Sequence, residues 1–262
     1  MALLEVEQLE VVYHKVATAI QGVTLKVRES QVVAVVGTNG AGKTTTLRAI
    51  SGFLTAEDVA VTDGSIRYRG ENIVNKAPHE LARRGIVLVP ERDKVFETLS
   101  VEENLLFNVS MRERRRAALR QVYDYFPAIE QRRTTLAGYL SGGEKQMLAI
   151  GMALLCRPQL LLIDELSLGL APVVVDGIME TLQRLNRDLG FAVLLVEQNA
   201  MAALATSHVG YVMEAGQVVY HGTGEELLRH RDIQEFYLGG TQRDLKSYRD
   251  VKQYRRKRRW WG

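Results

Sequence analysis

A single cysteine, Cys156, stands in 262 residues. It can form no internal disulfide and supplies no cysteine zinc cluster. The five histidines are just as unhelpful for metal: His79, His208 and His221 are scattered without ligand spacing. Apolar runs are short. Val32–Val36 and Leu160–Ile163 reach five and four residues, whereas a membrane helix needs about twenty. The N-terminal Met-Ala-Leu-Leu-Glu-Val-Glu has no basic segment leading into an apolar stretch, the pattern of a secretory signal. No solenoid-period repeat and no low-complexity linker breaks the chain. These absences lead us to expect a soluble cytosolic protein. At 46% hydrophobic and 25% charged residues, its composition suffices for a buried core.

Charge is unevenly placed. The net charge is +3, but Thr241–Gly262 alone carries nine Lys/Arg and two Asp, or +7, which leaves −4 for residues 1–240. A mildly acidic body is not built to neutralise a nucleic-acid backbone. The tail ends Tyr254-Arg-Arg-Lys-Arg-Arg-Trp-Trp-Gly262. It reads first as a solvated terminus; contact with anionic headgroups, an acidic partner or nucleic acid are its other readings. Arg112–Arg116 reads as the solvated face of a helix.

What is present is strand-helix alternation. Val11–Tyr13, Val23–Val27, Val32–Val36, Ile66–Tyr68 and Ile86–Val89 read as strands, as do Leu160–Ile163 and Ala192–Val196. Val209–Val212 and Val218–Tyr220 read as a hairpin. Helices are expected over Lys43–Ile50, over Pro78–Arg84 with Gly85 as its stop, and from Pro172 with Gly190 as its C-cap. Between the strands at 86–89 and 160–163 lies a helical insert. Ser100 starts one helix in a capping box with Glu103. Leu119, Val122, Tyr123 and Phe126 give a second one face, ended by Pro127. A third runs from about Ser141 to Cys156. The fold class is therefore α/β, a largely parallel sheet covered by helices, with an inserted helical subdomain.

Gly37-Thr38-Asn39-Gly40-Ala41-Gly42-Lys43-Thr44, followed by Thr45, matches G-x-x-x-x-G-K-[ST] and sits between an apolar strand and a helix. Glycines let backbone N–H groups turn inward, and the helix terminus adds partial positive charge. Lys43 can reach the β- and γ-phosphates and the Thr44 hydroxyl can ligate Mg²⁺. A nucleoside triphosphate is the expected ligand. Leu160-Leu-Leu-Ile-Asp164-Glu165 brings two carboxylates to the C-terminal end of a buried strand, where open α/β sheets bind ligands. Asp164 would hold Mg²⁺. Glu165 would take a proton from the attacking water or orient it. Ser141-Gly142-Gly143-Glu144, at a helix start, makes a second anion-binding terminus. One triphosphate has no use for both, so the second is expected to serve a neighbour in a head-to-tail dimer.

With these motifs the chain resembles the ATP-binding subunits of ABC transporters over about residues 3–238. Within them it is most similar to one ATPase of the branched-chain (hydrophobic) amino acid uptake systems. The segments that carry this are Val89-Pro-Glu-Arg, Val101-Glu-Glu-Asn-Leu, Leu140-Ser-Gly-Gly-Glu-Lys-Gln-Met, Ser167-Leu-Gly-Leu-Ala-Pro and Leu195-Val-Glu-Gln-Asn199. The resemblance implies a P-loop NTPase (RecA-like) core with an N-terminal antiparallel β subdomain, an ATPase domain over 1–240 with the helical subdomain at about 91–157, and a basic tail over 241–262. It implies ATP and Mg²⁺ as cofactors and a peripheral place on the cytoplasmic face of the membrane. The implied partners are a second, different ATPase, two permeases and, indirectly, an extracytoplasmic solute-binding protein. By the same resemblance Tyr13 would stack on adenine, Glu91 would meet Mg²⁺ or water, and the Ser167–Pro172 turn would meet the partner ATPase.

Two positions depart from the wider family, which usually has Gln at 91 and His at 198. Glu91 adds negative charge near the phosphates, and Gln198 donates a hydrogen bond but cannot become cationic. The expectation is slower hydrolysis at the site built on this chain's Lys43 than at the site using its Ser141. Arg92 and Leu166, where Gly and Pro are common, have no account. The rival reading is a soluble ABC ATPase acting on nucleic acid or ribosomes, supported only by the basic tail.

Overall fold

The computed structural model describes residues 2–237 apart from 15, 57, 58, 108, 110 and 111. The basic tail lies outside the described residues. Chain order opens with β1 (Ala2–Tyr13), β2 (Ala17–Arg28), β3 (Val32–Gly37), α1 (Lys43–Ser51), β4 (Val59–Tyr68) and β5 (Glu71–Asn72). It continues through α2 (Pro78–Arg83), β6 (Ile86–Val89), α3 (Val101–Leu106), α4 (Arg112–Tyr125), α5 (Pro127–Glu130) and α6 (Gly142–Leu155). The last third holds β7 (Leu160–Asp164), α7 (Pro172–Leu189), β8 (Ala192–Glu197), α8 (Ala200–Thr206), β9 (Val209–Glu214), β10 (Gln217–Thr223), α9 (Gly224–Arg229) and α10 (Arg231–Tyr237).

The main sheet has the order β10-β9-β3-β8-β7-β6, parallel from β9 to β6 with β10 antiparallel at the edge. Every residue of β3, β7 and β8 is buried, as expected of strands covered on both faces. Alternate residues feed two cores. Ala34, Val36, Leu161, Ile163, Val193 and Leu195 join the side holding α6, α7 and α8. Val33, Val35, Leu160, Leu162, Leu194 and Val196 join the side holding α1 and the second sheet. Each of the Val, Leu and Ile side chains contributes about 1.5–3 kcal/mol by burial.

The second sheet, order β2-β1-β4-β5, is antiparallel. Its strands β1 and β2, twelve residues each, run far longer than Val11–Tyr13 and Val23–Val27. The register of β1 shifts between Val6 and Leu9, with Gln8 at φ 47°, so its buried residues are three apart there. That bulge breaks the period-two pattern by which a strand is read.

In the helical segment Val122, Tyr123 and Phe126 face the core and Pro127 opens α5 at its first position. Arg115 and Arg116 are exposed. A Cβ on Gly151 would sit 2.7 Å from Val122 Cγ1, so α4 and α6 approach as closely as glycine allows. Asn104, buried in α3, donates to the carbonyls of Phe96, Leu99 and Ser100 and accepts from Phe96 N–H, which pins the loop leading from β6. The short helices α8, α9 and α10 were not anticipated from the sequence; at six or seven residues they carry too few turns for a clear period.

Candidate functional site

The strand-loop-helix at 37–44 folds as its glycines require. Gly40 and Gly42 take left-handed φ values of 78° and 97°. A Cβ on Gly37 would lie 2.3 Å from the Met213 carbonyl oxygen. The chain therefore turns tightly at the C-terminal end of β3 and enters α1, whose first N–H groups have no intrahelical partner. Lys43, only 5% exposed, donates to the carbonyls of Gly37 (3.0 Å) and Thr38 (3.2 Å) and lies 3.2 Å from Glu165 Oε1. The Thr44 hydroxyl donates to Asp164 Oδ1 at 3.0 Å. Thr45 Oγ1 lies 3.3 Å from the Tyr13 hydroxyl, which places the tip of that side chain at the first turn of α1; Tyr13 does not itself line the phosphate cleft.

Parallel pairing of β7 and β8 sets the carboxylates. Asp164 ends β7 opposite Val196. Glu165 turns to φ 49°, sends its N–H to the Val196 carbonyl, and accepts Gln198 N–H at 3.1 Å on Oε2. Burial pushes Asp164 up to about 6, opposed by the Thr44 hydrogen bond and helped by the charges of Glu165 and Glu91. Burial pushes Glu197 up to about 7, although Ser167 donates to both of its oxygens. Lys94 is shifted down by burial, against the pull of Glu91, Glu197 and Asp164, and bonds Gln146 on α6.

A cleft of about 600 Å³ brings the loop from Asn39 to Thr45 together with Glu91, Glu165 and Gln198. Gly37 and Thr38 contribute through the carbonyls that hold Lys43, and Asp164 through Thr44. Ala19, Arg92 and Leu168 also line it; Leu168 belongs to the turn expected to meet a partner ATPase, whereas Ala19 and Arg92 carry no sequence signal for a site. Arg92 lies beside Glu91 at 3.2 Å. Ser141, Gly142, Gly143 and Glu144 do not join this cleft. They line a second one of about 370 Å³ with Gly169, Leu170, Ala171 and Val174. There Ser141 caps α6 in a reciprocal box with Glu144, which also meets Arg132. A Cβ on Gly143 would lie 2.6 Å from Val174 Cγ1, so α6 and α7 pack through the glycine.

Thr44 Oγ1 and Asp164, with Glu91 on the same cleft, form a hard oxygen set. It fits Mg²⁺, which takes one or two carboxylates and completes its shell with phosphate and water.

The sequence pattern of the ABC transporter family matches residues 20–167, more than half of the chain. The chain belongs to the ABC transporter family. It is 40% identical to the high-affinity branched-chain amino acid transport ATP-binding protein BraG of Pseudomonas aeruginosa, over 91% of this chain and all of that protein. It is 36% identical to a protein of Archaeoglobus fulgidus named "Probable branched-chain amino acid transport ATP-binding protein LivF", over 81% of this chain and 89% of that one. Among solved structures it is similar to the ADP conformation of an ATP-binding cassette of an ABC transporter, with a TM-score of 0.78 at 27% identity. That match covers 91% of this chain and 99% of the other. The chain is thus an ABC ATPase with a nucleotide-binding cassette fold. Among the described residues no helix is long and apolar enough to cross a membrane.

Proposed function

We propose that this chain binds and hydrolyses ATP to drive uptake of branched-chain amino acids, or of related small polar or amide solutes, through separate permease subunits. The observation that carries the solute class is the 40% identity along the full length of BraG. Its assembly would be a second, different ATPase and two permeases, fed by an extracytoplasmic solute-binding protein, with this chain peripheral on the cytoplasmic face. Residues 1–240 form the ATPase domain in this reading, with 91–157 as its helical subdomain.

Each residue acts from where it stands. Tyr13, beside the first turn of α1, stacks on adenine. Backbone N–H groups at the start of α1 and the Lys43 ammonium hold the β- and γ-phosphates. Thr44, Asp164 and Glu91 hold Mg²⁺, which when bound supplies charge neutralisation at the phosphates. Glu165, steadied by Gln198 N–H, orients the attacking water and takes its proton. Ser141, Gly142 and Gly143, with Glu144 bracing the serine, face the γ-phosphate held by the partner ATPase. Ser141 and Lys43 line different clefts, which supports a reading in which closure of two ATPases completes each site. Catalysis then rests on positioning and charge stabilisation.

The test is uptake of labelled leucine, isoleucine and valine by native cells lacking this chain. Loss of uptake, restored by the wild-type chain and not by Glu165→Gln, is expected. Unchanged uptake of all three removes the solute assignment.

A further inference from the structure

Glu197 ends β8 with no exposed surface, an expensive place for a carboxylate unless its oxygens are bonded. Both are bonded to Ser167, and the Leu166 backbone adds a further hydrogen bond. Ser167 donates its N–H to Oε1 at 2.8 Å and its hydroxyl to Oε2 at 2.6 Å. The two residues are 30 apart in sequence, so this clamp ties the turn after β7 to the end of β8.

What the clamp joins gives it meaning. Ser167 opens a turn with a foot in each cleft: Leu168 lines the phosphate cleft, while Gly169, Leu170 and Ala171 line the Ser141 cleft. On the other side Glu197 precedes Gln198, whose N–H holds Glu165. Glu197 itself lines neither cleft. The charged groups facing it are Glu165 and, from the segment after β6, Lys94.

We propose that Glu197 is a positioning residue that couples the two clefts, holding the Ser167 turn in register with the Gln198–Glu165 contact so that nucleotide in one cleft is felt at the other. This rests on the ATPase reading above. The pair acts as a strut: a shift of the turn toward a partner's nucleotide pulls on the strand end that orients Glu165. A displacement of about 1 Å at such a group is enough to change turnover.

The experiment is ATP titration of the assembled transporter carrying Glu197→Gln, Ser167→Ala, or both, with wild type and Glu165→Gln alongside. Glutamine keeps the volume but accepts at one atom only. We expect Kd for ATP within twofold of wild type, kcat lower by about tenfold, and a Hill coefficient reduced toward 1. Ser167→Ala, which removes the hydroxyl bond and keeps the backbone one, should give a smaller loss in the same direction, and the double variant should be no worse than the more affected single one. Folding is checked by Tm, and if Glu197→Gln does not fold, Ser167→Ala decides alone. Wild-type kcat and Hill coefficient in the folded variants overturn the proposal, as do additive losses in the double variant. A wild-type complex with no turnover would instead remove the ATPase reading.

Discussion

Lys43 Nζ stands 3.2 Å from Glu165 Oε1, with the two side chains only 5% and 10% exposed. The remaining bonds of the ammonium go to the Gly37 and Thr38 carbonyls, so it closes the loop on itself and on the carboxylate at once. Phosphate oxygens entering the loop compete for that same cation. The pair should therefore separate under substitution into a binding role and a chemical one.

Glu165→Gln keeps the shape of the side chain and removes its basicity. Turnover should fall by about 10²–10³-fold, within the usual contribution of a positioned base, while ATP affinity is retained. Lys43→Met should weaken ATP binding by tenfold or more, since charge-assisted hydrogen bonds are worth about 1.5–3 kcal/mol each. Calorimetric ATP titration and ATPase rates on the same preparations check both. Weak binding in the first variant with normal binding in the second would reverse the roles.

Two buried carboxylates set a pH dependence. Burial raises Asp164 to about 6 and Glu197 to about 7, whereas an unfolded chain titrates both near 4. The folded protein thus holds these protons more tightly, and their contribution to stability declines as pH rises from about 4 through about 7. Glu103, Glu144 and Glu226 are lowered by their Ser and Thr caps, so their opposite contribution is lost only at lower pH. Without nucleotide or Mg²⁺, Tm measured from pH 5 to 7.5 should have a less negative slope in Glu197→Gln than in wild type. Asp164→Asn should flatten the acidic part of the window. Identical slopes in all three proteins would contradict the burial of charge at these positions.

Ser141 has two jobs that a pair of substitutions can part. It caps α6 in a box with Glu144, and it lines the cleft proposed to meet a partner's phosphate. Asparagine caps about as well as serine, whereas alanine costs about 1 kcal/mol. Only Ser141→Ala should lower Tm, yet both variants should lower ATPase activity of the assembled transporter by tenfold or more. Activity that tracks Tm would leave Ser141 as a cap and nothing else.

Local chemistry made much of this readable. The phosphate loop, the fully buried strands and the caps at Ser100, Ser141, Pro172 and Gly190 each depend on a few adjacent residues, and all stand where the sequence places them. The reach of β1 was hidden because the bulge at Gln8 spoils its alternation. The Glu197–Ser167 clamp was hidden for another reason. Glu197 is legible as a carboxylate ending an apolar strand, but its partner is fixed only when β7 and β8 pair. Lys94 likewise meets Gln146 across 52 residues. Long-range polar pairing leaves no period in the sequence.

Gln198 offers the sharpest test of charge at the site. Its N–H holds Glu165 while its side chain reaches the cleft beside Lys43 and Glu91. A backbone bond survives substitution, so Gln198→His changes the side chain's chemistry and leaves the anchor of Glu165 in place. Histidine adds a group able to become cationic near pH 6.5, opposite the negative charge that Glu91 brings. Arg92, the cation nearest Glu91, is 84% exposed at its side chain and is screened by water. If this chain's own site is slow for want of a second cation, Gln198→His should raise the ATPase rate of the assembled transporter several-fold without changing ATP affinity. An unchanged or lower rate would mean that Gln198 already suits the chemistry and that slow turnover, where it is seen, originates elsewhere in the assembly.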